Sequence, residues 1–274
     1  MTPRDQIADA SQARFAGANN AGRVALVALP DIPLVGPGDD LAAIIVAAAA
    51  RAGETLIDGD ILVVAQKIVS KSEDCYADLT AVTPSARAAE LARETGKDPR
   101  MVELILSESS AVVRHRPGVI IAQHRLGFVM ANAGIDTSNV GPPENGERVL
   151  LLPKDPDGSA AKMRRALRDL TGAALAVIIN DSVGRAWRMG TVGTALGAAG
   201  LTVRLDYRGR TDLFGRTLKV TDVGLADQIA SAASLLQGEA DEGRPVVLIR
   251  GLRLDGGSTT GSDMIRDEAD DLFR

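Results

Sequence analysis

Short apolar runs alternate with stretches of helical periodicity along most of this chain. Residues 24–28, 61–65, 119–122, 149–152, 175–180 and 246–250 are mainly apolar and bounded by turn residues. Such runs suit strands buried on both faces, although periodicity alone does not separate them from buried helix. Helices are better marked. Thr83-Pro84 and Asp98-Pro99 each set an N-cap before a proline at the first helical position. The first helix is expected to run to about Thr95 and stop at Gly96, and the second carries Met101 to Leu106. Residues 159–170 predict a basic amphipathic helix ending at Gly172, and residues 225–236 an Ala-rich one. The longest apolar run, 41–50, follows the turn and N-cap Pro37-Gly38-Asp39-Asp40. At about half a membrane span it reads as a buried helix. Residues 1–22 hold Arg4, Asp5 and Asp9 but no apolar signal core, and read as a loosely held tail. The class expected is mixed α and β, with no internal repeat.

Composition narrows the picture. The 274 residues allow one large domain or two small ones, and 45% hydrophobic with 24% charged residues excludes disorder over most of the chain. Aromatics are only 3%, so Ala, Val, Leu and Ile must build the core. With 31 basic and 36 acidic residues the net charge is −5, which argues against nucleic acid as the main partner. The lone Cys75 forms no internal disulfide and no paired-cysteine zinc site, which suits a reducing cytoplasm.

Generic catalytic signatures are missing: there is no phosphate loop, dinucleotide turn, nucleophile elbow or His-Glu-x-x-His. His115 and His124 flank an expected strand and read as surface or partly packed residues. Three polar clusters remain, at the ends of apolar runs, where α/β enzymes place chemistry. In Asn180-Asp181-Ser182-Val183-Gly184-Arg185-Ala186-Trp187-Arg188 a carboxylate and a hydroxyl suit a hard-cation site, or simply cap a following helix. Gly134-Ile135-Asp136-Thr137-Ser138-Asn139-Val140-Gly141 gathers a carboxylate, hydroxyls and an amide, a composition that also makes ordinary loops. In Gln66-Lys67-Ile68-Val69-Ser70-Lys71 the lysines share one helix face, suited to polyphosphate or carboxylate, or to solvent.

In this order, with Leu29-Pro30-Asp31-Ile32 before them and Ala226-Asp227-Gln228-Ile229 and Gly238 after them, these strings resemble the coenzyme F-420-0:L-glutamate ligase family. The resemblance spans roughly residues 24–273 and implies a tail at 1–22 followed by a ligase domain over 23–274. It implies an intertwined, two-lobed α+β fold that is neither P-loop nor Rossmann. The activity implied is GTP-dependent addition of L-glutamate to the carboxylate of a deazaflavin coenzyme precursor, then of further γ-linked glutamates. A homodimer, two divalent ions (Mg²⁺ or Mn²⁺) and K⁺ come with it. By position, Asp136, Asp181, Ser182 and Glu239 match metal ligands. Leu29, Pro30, Asp31, Ile32, Gln66, Lys67, Lys71 and Asn139 match GTP contacts, as does the segment Gln237, Gly238, Ala240, Asp241, Glu242, Gly243 and Arg244. Gln66 stands where relatives often carry serine, and Glu239 where glutamine is expected.

The chemistry agrees with the transfer. Moving a phosphoryl group between anionic partners calls for cations that offset charge. Arg185 and Arg188 are assigned to anionic substrate groups, and no general base is identified. The competing readings are an amide ligase for another carboxylated metabolite and a noncatalytic GTP-binding module. Neither nucleic acid nor membrane is an expected partner.

Overall fold

The computed structural model describes residues 22–141, 146–252, 257 and 259–272. The expected tail at 1–22 thus lies, but for Gly22, outside the described residues. Three of the predicted apolar runs form the middle of a five-stranded sheet: β2 (Ile61–Ala65), β8 (Ala176–Gly184) and β12 (Val246–Arg250). Flanking them are β1 (Ala25–Ala28) and β9 (Thr191–Ala199), in the order β1-β12-β2-β8-β9. Only β2 and β8 are parallel. Alternation divides the core between the two faces. Leu62, Val64, Val177, Ile179, Val246 and Leu248 pack against helices α1 (Leu41–Arg51) and α5 (Pro156–Thr171). Ile61, Val63, Ile178, Val247 and Ile249 pack against α6 (Leu225–Gln237). Burying each such side chain stabilises the fold by roughly 1.5–3 kcal/mol, which is why these strands are apolar on both faces until β8 reaches Asn180.

β9 is a strand that the sequence pattern does not announce, being Gly- and Ala-rich rather than β-branched. Its glycines serve close packing. A Cβ on Gly193 would sit 2.5 Å from the Ala230 carbonyl oxygen of α6, and one on Gly197 would sit 2.4 Å from Pro156 of α5.

A second lobe is inserted between β2 and β8. It follows α2 (Gln66–Ser72) and β3 (Tyr76–Asp78) with helices α3 (Ala86–Thr95) and α4 (Pro99–Ser107). The helices cover an antiparallel sheet of β4 (Ser109–Arg116), β5 (Val119–His124) and β6 (Val129–Ala131), and β5 buries alternate residues. β7 (Arg148–Leu150) returns to pair with β3, and β10 (Arg204–Asp206) pairs with β11 (Asp222–Gly224). The expected two-lobed α+β arrangement is thus present.

Caps explain the helix ends. Asp40, Asp98 and Asp155 accept from the first-turn amides of α1, α4 and α5, while Gly96 and Gly172 end α3 and α5 in the left-handed region. One expectation needs correcting: Ser85, not Thr83, caps α3, because its hydroxyl accepts from the Ala88 amide. α5 also starts three residues earlier than expected, at Pro156. His115 is exposed beside Glu94, whereas His124 is fully buried, Nε2 lying 3.3 Å from Glu108. Among the described residues no helix is long and apolar enough to cross a membrane.

Candidate functional site

One edge of the central sheet gathers the ends of β1, β2 and β8 and the start of β12. There a cavity of about 1030 Å³ opens, bounded on the far side by the β3–β7 ribbon. α2 begins without a break after β2, so Lys67 and Lys71 are carried straight to this edge. The Lys67 ammonium lies 2.7 Å from Asp136 Oδ1. Burial, then the neighbouring charge of Lys67, lowers the Lys71 pKa, with Asp136 acting in the opposite sense. Asp136 is tied to the second lobe by a pair of backbone bonds with Leu150, at 2.9 and 3.0 Å. Burial raises its pKa against the pull of Lys67.

The strand period sorts the next three residues. Asn180 and Ser182 point to the α6 side, where Asn180 Nδ2 donates to Gln237 Oε1 at 2.6 Å and to Ser234 Oγ at 3.0 Å. Ser182 Oγ donates to Glu239 Oε2 at 2.7 Å. Asp181 points the other way, and its pKa is pushed up to about 7, first by burial and next by the Asp136 charge. Lys67 and the Ser182 amide, 2.8 Å from Asp181 Oδ1, work against that rise.

The loop from Gly238 to Pro245 closes the cavity opposite. Gln237 Nε2 donates to Pro245 O at 3.2 Å and to Val63 O at 3.3 Å, so one buried amide joins both ends of the loop to β2. Asn139 Nδ2 donates to Ala240 O at 2.9 Å and ties the loop to the Asp136 segment. Gly238 needs to be glycine: its φ is 73°, and a Cβ would meet the Glu242 carboxylate.

Most of the residues singled out in the sequence meet here. Ile32, Gln66, Lys67, Lys71, Asn139, Asp181, Ser182 and the whole segment 237–244 line the cavity. Asp136 stands behind Lys67. Leu29 is instead a core side chain, and Asp31, held at φ 52°, turns its carboxylate towards Arg51 at 3.9 Å. Gln66 uses its amide within the fold, donating to Ser70 Oγ at 2.8 Å. The helix-cap alternative for Asp181 and Ser182 does not hold, because β8 continues through both to Gly184. Nor are Arg185 and Arg188 brought to the cavity: they sit exposed in the turn between β8 and β9, where Arg185 donates to Gly190 O. Two residues that sequence reasoning missed do line it, Tyr76 and Arg148, with the guanidinium 5.9 Å from the ring centroid.

A divalent ion fits this donor set. All the groups offer hard oxygen, and Asp136 Oδ2 is buried with no hydrogen-bond partner. Among the described residues no three carboxylate, histidine or cysteine side chains already converge on one point.

A family profile described as F420-0:gamma-glutamyl ligase matches residues 31–251. The coenzyme F420:L-glutamate ligase of Methanothermobacter thermautotrophicus is 48% identical over 256 residues, covering 92% of this chain and 99% of that protein. The protein of the same name from Methanopyrus kandleri is 45% identical over 260 residues, covering 92% and 100%. That from Methanocaldococcus jannaschii is 46% identical over 217 residues, covering 79% and 85%.

Proposed function

The chain belongs to the F420-0:gamma-glutamyl ligase family, and on that premise we propose that it joins L-glutamate to the carboxylate of the deazaflavin precursor at the expense of GTP. The observation that carries this reading is the placing of Lys67, Lys71, Asp136, Asp181 and the 237–244 loop around one large cavity.

A carboxylate and an amine do not condense at neutral pH without activation. The precursor's carboxylate oxygen attacks the γ-phosphorus, the bond to the β-phosphate oxygen breaks, and GDP leaves. The amine nitrogen of glutamate then attacks the acyl carbon of the resulting acyl phosphate. Inorganic phosphate departs, and the amine proton passes to solvent or to a base. Lys67 and Lys71 face the phosphate oxygens, and the backbone of the 237–244 loop surrounds the nucleotide. Asp136, Asp181, Ser182 and Glu239 would hold divalent ions, which supply charge neutralisation for phosphate and carboxylate as they approach. Further γ-linked additions, K⁺ and a second copy of the chain belong to the same reading.

Incubation with the deazaflavin precursor, L-glutamate, GTP and Mn²⁺, followed by weighing the product, tests it. Gain of one or more glutamyl units is expected, with one GDP per unit. GTP cleavage only with another carboxylic acid, or binding without turnover, would replace the proposal by one of its competitors.

A further inference from the structure

Tyr76 and Arg148 belong to the cavity but to none of the roles given above. We infer that they form the seat of the acceptor substrate: the Tyr76 ring receives the flat conjugated heterocycle, and Arg148 pairs with an anionic group on its side chain. This rests on the ligase reading and specifies where its acceptor lies.

The argument starts from the β3–β7 ribbon. Asp78 pairs with Arg148 and Tyr76 with Leu150, so Tyr76 and Arg148 are diagonal neighbours on one face. Tyr76 is half-buried, and the exposed guanidinium lies 5.9 Å from its ring centroid, within cation–π range. Among the described residues Arg148 has no ion pair. Asp78, directly opposite, turns Oδ1 to the hydroxyl and amide of Thr80, at 2.6 and 2.8 Å, and feels the Arg148 charge without pairing with it. An arginine so placed keeps its guanidinium free for a ligand anion. Among the described residues Tyr76 is also the only aromatic one lining the cavity.

Position assigns the pair to the acceptor rather than to the nucleotide. Of the residues matched to the nucleotide, Lys67, Lys71 and the 237–244 loop come from the large sheet and its helices and Asn139 reaches over to that loop, whereas Tyr76 and Arg148 stay on the facing ribbon. That ribbon also holds Asp136, because Leu150 bridges Tyr76 on one side and Asp136 on the other. Arg148 is two residues along the strand from Leu150, about 7 Å. A substrate anchored there lies on the same ribbon that holds Asp136. Space allows it: about 1030 Å³ exceeds the roughly 300–1,000 Å³ that encloses one small ligand.

Two variants test the inference, Tyr76→Leu and Arg148→Gln. The second alters an exposed side chain, so loss of folding does not cloud it. Each should raise the KM for the deazaflavin precursor about fivefold to tenfold, leaving the KM for GTP within about twofold. Binding of the precursor alone, followed by its own fluorescence, should weaken in parallel. A rise in the GTP KM with the precursor KM unchanged would overturn the inference and give the pair to the nucleobase. Unaltered variants beside a wild type that binds precursor would also overturn it. A wild type that binds GTP but no deazaflavin would instead sink the ligase reading, and the seat with it.

Discussion

Glu239 receives the Ser182 hydroxyl at 2.7 Å, at a position where a glutamine would be neutral. With Asp136 and Asp181 it brings a third carboxylate to a site in which Lys67 already balances one. An added negative charge strengthens attraction for a divalent cation and repels phosphate when the cation is missing. Glu239→Gln should therefore raise the Mn²⁺ concentration for half-maximal rate several-fold while keeping appreciable turnover, since an amide oxygen still coordinates. Superimposable titrations of rate against Mn²⁺ would remove Glu239 from the proposed metal ligands. His124 is a different kind of residue, buried and remote from the cavity. Its Nδ1 accepts the Leu126 amide at 3.0 Å, so a second proton would break that bond. Burial lowers its pKa, with Glu108 pulling the other way. The unfolded chain therefore binds the proton first as pH falls. The stability this group contributes is full above its ordinary pKa of about 6.5 and is lost progressively below it. Thermal unfolding followed from pH 8 to pH 5 should show that decline, and His124→Asn, which keeps an acceptor near Nδ1, should flatten it.

Among the elements, β8 does most to build the site, and its alternation gives Asn180 and Asp181 separate duties. Asn180→Ala removes the donor that fixes Gln237 and leaves the buried Gln237 Oε1 unpaired, a cost of about 1–3 kcal/mol. The 238–245 loop should loosen, with faster amide exchange across it and a GTP KM raised several-fold more than that for L-glutamate. Equal changes in both constants, with unaltered exchange, would dissociate Asn180 from the loop. Much of this architecture was legible beforehand. β2, β8 and β12 are read from unbroken apolar runs because both their faces are covered, and α1 and α4 from Asp40 and Asp98. The lysine pair of α2 and the Asp136 loop were equally visible. Hidden were the features set by partners distant in sequence. β9 looks like no strand, since its glycines answer to helices packed on it. Arg185 and Arg188 follow Asp181 closely in sequence, but β8 stays extended for three more residues, about 10 Å, and carries them away. Tyr76 and Arg148 lie far apart in the chain, and only the ribbon pairing joins them.

At the scale of the whole molecule, two turns stand out for what they expose. Trp187 and Met189 lie between β8 and β9, and Leu213 and Phe214 between β10 and β11, with Trp187 87% and Phe214 83% accessible. Side chains of that size gain about 1.5–3 kcal/mol each when covered, and clusters of them mark association surfaces. If a second copy covers them, Trp187→Ser with Phe214→Ser should shift the molecular mass by light scattering from dimer towards monomer. An unchanged mass would place any interface elsewhere. The strand order carries a further consequence, for biosynthesis. β12, drawn from residues 246–250, lies between β1 and β2, which leave the ribosome first. Until that late strand arrives, both early strands wait with open, apolar edges, the condition under which nascent chains recruit chaperones or aggregate. The same strand brings in the 238–245 loop. If the loop holds the nucleotide as proposed, affinity for it arises only once β12 is seated, so that a chain broken off before residue 246 should be inactive rather than partly active.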